Sequence, residues 1–118
     1  MTSTEWDFDS QQAATRYTVA QLISDKNVPE NAKITLELFF IPADNADADA
    51  LLKALKTFGY TVEPEQETLE GGGTRIAILV SIENLELSAD NIWLNEERTT
   101  KIALTRGYTP DGWGFVEP

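Results

Sequence analysis

The sequence predicts an α+β fold: one antiparallel sheet in βαββαβ order with two helices on one face, preceded by an extra N-terminal helix. Three observations predict it. Residues 33–41 alternate between apolar and polar side chains. Residues 76–80 form a nearly continuous apolar run, as in a central strand. Between them stands a strongly amphipathic helical stretch, closed by Gly59. With 118 residues the chain is a single domain, its first nine residues loosely ordered.

Each element has its own local reason. Ser10 offers a cap for a first helix running to about residue 24, with Ala13, Tyr17, Ala20 and Ile23 or Ser24 recurring at helical spacing. That stripe is thin, which predicts a helix lying on the surface of something else. Asn27, Pro29, Glu30 and Asn31 are loop chemistry. In the first strand Ile34, Leu36, Leu38 and Phe40 share one face and Lys33, Thr35 and Glu37 the other; Phe39 breaks the alternation and Pro42 ends the strand. The second helix has Asp44, Asn45 and Asp47 as candidate caps and Ala48, Leu51, Leu55 and Phe58 as its apolar face. Residues 60–70 form a short strand that Pro64 confines to an edge or to a brief pairing. Gly71, Gly72 and Gly73 connect it to the run from Ile76 to Val80, expected to be buried on both faces. Ser88 or Asp90 opens the third helix, which Gly107 ends; Ile92, Ile102 and Ala103 face a core, but Asn95, Glu96 and Thr99 stand where an apolar stripe calls for leucine. Asp111-Gly112 reads as a turn before a last strand with Trp113, Phe115 and Val116. The order after the first helix is that of the ferredoxin-like, split βαβ fold.

Composition removes several function classes. Twenty Asp and Glu against nine Lys and Arg leave a formal charge of −11, so nucleic acid and anionic membrane surfaces are poor direct partners. The N-terminus lacks a signal peptide's basic start and apolar centre, and no apolar run reaches the ~20 residues of a membrane helix. With no Cys there is no disulfide and no thiolate; with no His, the commonest general base and metal ligand is missing. These features predict an acidic cytoplasmic protein without enzymatic activity, cofactor or metal.

The motifs that suggest chemistry do not hold up on inspection. Asp44, Asp47 and Asp49 invite a calcium reading. Counted from Asp44, however, position 6 of the loop is Asp49 rather than Gly and position 12 is Leu55 rather than Glu. Gly71-Gly72-Gly73-Thr74 has no Lys and precedes a strand, unlike a phosphate-binding loop. Glu37, Glu63, Glu83 and Glu86 supply carboxylates in or near strands, but a catalytic pair needs one of them in an apolar pocket.

The distribution of acids is more informative. Asp44, Asp47, Asp49, Glu63, Glu65, Glu67 and Glu70 face only Lys53 and Lys56 within the same stretch. Such a surface attracts a basic protein and raises its rate of association. Asp44, Asp47, Asp49, Glu63, Glu65 and Glu67 are therefore candidate partner-binding residues, with Trp93 as an aromatic anchor on the polar third helix. Trp113, flanked by Gly112 and Gly114, is either a core plug or an anchor, and the apolar residues after it favour the core.

The ending DGWGFVEP, following Gly107-Tyr108, resembles the signature of the RraB family, regulators of ribonuclease E activity. So does ELFFIPADNADADALLKALKTFGYTVEPEQE, and the resemblance spans residues 16–118. It implies a ferredoxin-like protein that inhibits or modulates ribonuclease E, or a similar basic RNA-binding protein, by binding it. It implies no catalytic residues; Asp111, Gly112, Trp113 and Gly114 match the motif with a structural role. The alternative from the fold alone is a small-molecule sensor, dimeric in some ferredoxin-like proteins. Oligomeric state is not legible from the sequence.

Overall fold

The computed structural model describes residues 6–25, 28–29 and 32–116. Its elements follow the expected order: α1 (Phe8–Asp25), β1 (Lys33–Pro42), α2 (Ala48–Thr57), β2 (Thr61–Thr68), β3 (Thr74–Glu86), α3 (Ala89–Leu104) and β4 (Tyr108–Val116). The strands form one four-stranded sheet in the order β2-β3-β1-β4, antiparallel at every pairing. β2, which carries Pro64, is an edge strand, where a missing N–H leaves no ladder bond broken.

The alternation in β1 sorts the two faces of the sheet. Ile34, Leu36, Leu38 and Phe40 are buried and pack with Ile78 and Val80 of β3, Leu51 and Leu55 of α2, and Ile92 and Ala103 of α3. Register places Phe39 opposite Leu79 on the other face, outside that core. β3 is central, as its apolar run predicts, but the expectation that both its faces are buried is wrong. On the face away from the core Ala77 is buried but Leu79 is only half-buried, because no helix among the described residues covers that side; Ile76 shares the parity of Ile78 and Val80 and is exposed near the start of the strand.

Two irregularities bend the strands. Between Ile34 and Leu36 the register with β3 shifts beside Asn84, which has φ +57°. Between Leu38 and Phe40 the register with β4 shifts beside Gly112, at φ +100°. Asp111-Gly112 is thus a bulge inside β4 and not the expected turn before it, and glycine supplies the left-handed conformation the bulge requires. β4 consequently starts at Tyr108, whose hydroxyl donates to the carbonyl of Ile76 at 2.7 Å.

Helix ends follow capping chemistry. Asp47 caps α2 by accepting from the Ala50 N–H at 3.0 Å, and Ser88 caps α3 by accepting from Asn91 N–H at 3.0 Å. Gly107 closes α3 at φ +79° and lies against the β1–α2 loop, where an added Cβ would stand 2.5 Å from the carbonyl oxygen of Asn45.

α1 departs from expectation in two ways. It begins at Phe8, three residues early, because Asp7 rather than Ser10 caps it: Asp7 accepts from the Ser10 N–H at 3.0 Å and from the Ser10 hydroxyl at 2.7 Å. Trp6 to Asp9 therefore have defined places within the stretch expected to be loose. Residues 1–5 lie outside the described residues. Its buried face carries Thr15 and Val19, whereas Tyr17 of the expected stripe is 68% exposed. α1 packs along α3, and its Val19 joins the apolar core with half-buried Leu22 and Ile23 beside it.

Candidate functional site

The acids singled out in the sequence divide into two groups. Asp44 lies in the turn after β1, Asp47 is committed to capping α2, and exposed Asp49 occupies the first turn of that helix. The other group lies on β2. Glu63 pairs with Leu79, Glu65 with Ala77 and Glu67 with Arg75, while intervening Val62 packs against the core. Period two therefore places all three glutamates on the sheet face away from the core. Glu67 accepts from the Arg75 guanidinium at 2.7 Å, and Glu63 and Glu65 are exposed.

Residues not singled out as site candidates complete this face. Phe39 and Ile41 of β1 and Leu79 of β3 form a half-buried apolar centre, and Glu37 lies beside them, paired with Ser81. The signal was present in the sequence: Phe39 interrupts an otherwise clean alternation, and an aromatic on the solvent-facing parity of a strand marks a surface with a use beyond packing.

Trp93 does not stand free. Its ring meets that of Phe8 edge-on, with centroids 6.4 Å apart at 73°, and the Lys101 ammonium lies 5.7 Å from the Phe8 ring centre. Half-buried Trp93 thus holds the start of α1 against α3. Of the DGWG stretch, Asp111 and Gly112 make the bulge, Gly114 pairs with Glu37, and Trp113 pairs with Leu38 on the core face. Trp113 is half-buried, packed on the core from one side and open on the other.

That open side belongs to a groove of about 590 Å³ between α1, α3 and β4, lined among others by Trp6, Asp7, Gln11, Thr15, Glu96 and Trp113. Glu96 is only 6% exposed. Its carboxylate accepts a short hydrogen bond from the Thr15 hydroxyl and a long one, 3.5 Å, from the Gln11 side-chain amide. Gln11 also donates to the Thr100 hydroxyl at 3.2 Å and accepts from the Trp6 indole N–H at 2.9 Å. Gln11–Thr100, Thr15–Glu96 and Arg16–Asp90 run in opposite directions along the two helices, so α1 and α3 are antiparallel. Burial raises the Glu96 carboxyl above the usual glutamate range, and the bonds from Thr15 and Gln11 pull the other way. At the rim, Asp7 is held below the usual aspartate range by its bonds from Ser10.

Of the three leucine-like positions of α3, Glu96 and Thr99 are buried and Asn95 is half-buried; Glu96 is polar because it meets α1, as does buried Thr100 next to Thr99. Thr99 returns its hydroxyl to the carbonyl of Asn95 at 2.7 Å, and Asn95 accepts from the Tyr60 hydroxyl at 3.0 Å. Among the described residues Glu96 is the one buried carboxylate, and none of Glu37, Glu63, Glu83 and Glu86, the acids considered for a catalytic pair, is buried. No helix among them is long and apolar enough to cross a membrane.

The family model described as regulator of ribonuclease activity B matches residues 12–115, from α1 to the end of the sheet. No curated protein matches the chain.

Proposed function

The chain belongs to the RraB family, regulators of ribonuclease activity, and on that premise we propose that it binds ribonuclease E through its open sheet face and so inhibits or modulates RNA processing in the cytoplasm. The observation that carries this reading is the composition of that face. Phe39, Ile41 and Leu79 form an apolar centre, with Glu37, Glu63 and Glu65 around it. An apolar centre with a charged rim is the anatomy of a protein–protein contact, and the sign of the rim selects a basic partner. The strand order, read from the other edge as β4-β1-β3-β2, supports a ferredoxin-like domain in which this face is left for a partner. The protein acts by occupying a basic segment of the ribonuclease and excluding RNA or another protein from it, with no chemistry of its own.

Calorimetry of the full chain against ribonuclease E, and against its catalytic and scaffold halves, at low and physiological salt tests the reading. Saturable binding that weakens as salt rises is the expected result. The double variant Glu63→Lys/Glu65→Lys should weaken binding about tenfold or more and flatten its salt dependence, whereas Asp44→Lys/Asp49→Lys should do less. Equal affinity and equal salt slope in the first variant remove the sheet face from the interface. Failure of the folded protein to bind any part of the ribonuclease removes the partner.

A further inference from the structure

We propose that the groove between α1, α3 and β4 receives an arginine side chain of the protein partner, its guanidinium paired with Glu96 and flanked by Trp6 and Trp113. Among the described residues the groove is lined by two carboxylates and two indoles and by no basic side chain. Glu96 is buried with two neutral donors, and among the described residues no Lys or Arg nitrogen pairs with it. A carboxylate has about four lone-pair sites, so room for further donors remains on its oxygens. A buried acid without a countercharge is costly, and a cation delivered from outside offsets that cost. The raised titration of this carboxyl is the sign of the same imbalance.

The choice of guanidinium over ammonium follows from the walls. Indole faces attract cations, and a planar, weakly hydrated guanidinium stacks on them while forking onto a carboxylate; an ammonium is compact and strongly hydrated. Asp7 at the rim and the net charge of −11 draw a cation towards the opening. The volume of about 590 Å³ is in the range of sites that hold a small ligand or a side chain with its flanking backbone. Trp6, Asp7 and Gln11 precede the region matched by the family model, so this half of the groove is contributed by the chain's own N-terminal turn.

The inference rests on the basic-partner reading above, and its test separates the two. The full chain is titrated with N-acetyl-arginine-methylamide, with the lysine counterpart and with the citrulline counterpart, which keeps the shape of arginine and loses the charge. The three indole N–H signals report, one from each Trp. The arginine probe should shift those of Trp6 and Trp113 and leave that of Trp93, which faces Phe8, in place. Citrulline should bind at least about tenfold more weakly, lysine in between, and Glu96→Gln should reduce arginine binding about tenfold. Trp6→Ala, a change outside the hydrophobic core, should weaken the probe several-fold with the fold intact and serves if Glu96→Gln unfolds the protein. Equal binding of arginine and citrulline, no shift at Trp6 and Trp113, or arginine binding untouched by both variants would overturn the proposal. A groove that takes arginine in a protein that ignores the ribonuclease breaks the partner reading alone. Ribonuclease binding unchanged by Glu96→Gln and Trp6→Ala breaks the groove's part in it alone.

Discussion

α2 and the N-terminal half of α1 are both laid on a neighbour, yet their contacts have opposite chemistry. α2 turns Leu51 and Leu55, both fully buried, into the sheet, and its apolar residues fall on one side. α1 is longer, 18 residues; its C-terminal half sends Val19 into the apolar core, with Leu22 and Ile23 packed against it, but its N-terminal half meets α3 through Thr15, Gln11, Glu96 and Thr100. The difference teaches what each contact is for. An apolar contact is non-directional and stabilises in proportion to area. A polar contact between helices stabilises little, fixes orientation, and leaves a charged group available to something outside.

The largest test of this contrast is truncation in α2. Leu51→Ala should cost about 2–5 kcal/mol in denaturant unfolding, because the neighbours cannot close over the space left behind. A much smaller cost would mean that α2 is no better anchored than α1. Next comes Thr15→Val, which keeps the shape of the side chain and removes the donor to Glu96. It should cost about 1–3 kcal/mol, the penalty for leaving a buried acceptor short of a partner. A loss as large as that of Leu51→Ala would erase the distinction between the two helices.

The smallest effect is the dependence on pH. The Glu96 carboxyl is raised in the folded chain above the ordinary value of 4.5, so the folded state holds this proton more firmly than the unfolded one. Its contribution to stability is complete below the unfolded value and is lost as pH rises through the folded one. Glu96→Gln removes that loss. The melting temperature of the variant minus that of the natural chain should therefore grow by a few degrees from pH 4 to pH 7, read by thermal unfolding at each pH. A difference that stays flat would mean that Glu96 is as well solvated as the surface acids and that the α1–α3 contact is not a buried polar one.

The same contrast explains what could be read ahead of the structure. The structure chose Asp47 among three candidate caps and an edge place for β2 over a brief pairing, whereas the element order and the central place of β3 follow from patterns contained within a few neighbouring residues. The face of α1 does not, because Tyr17 and Ala20 score as apolar while Thr15 is the residue that is buried. Asp111-Gly112 has the chemistry of a turn and of a bulge alike, and pairing with β1 selects the bulge. Glu63, Glu65 and Glu67 could be named as acids, but not as sharing a sheet face with Leu79 on the next strand and Phe39 on the strand beyond it. Glu96 was visible as an acid at a position that calls for leucine; its donors, Thr15 and Gln11, are more than 80 residues distant.

What the sequence by itself determined is the secondary structure, the apolar core and the sign of the charge, since periodicity, capping and composition act locally or as sums over the chain. Only the tertiary structure decided which sheet face stays open, which side of α1 is covered, and that Glu96, Trp6 and Trp113 share a groove. Those outcomes depend on which distant segments meet. A polar residue seeks a specific partner rather than apolar surface in general, so its place is set only when that partner arrives.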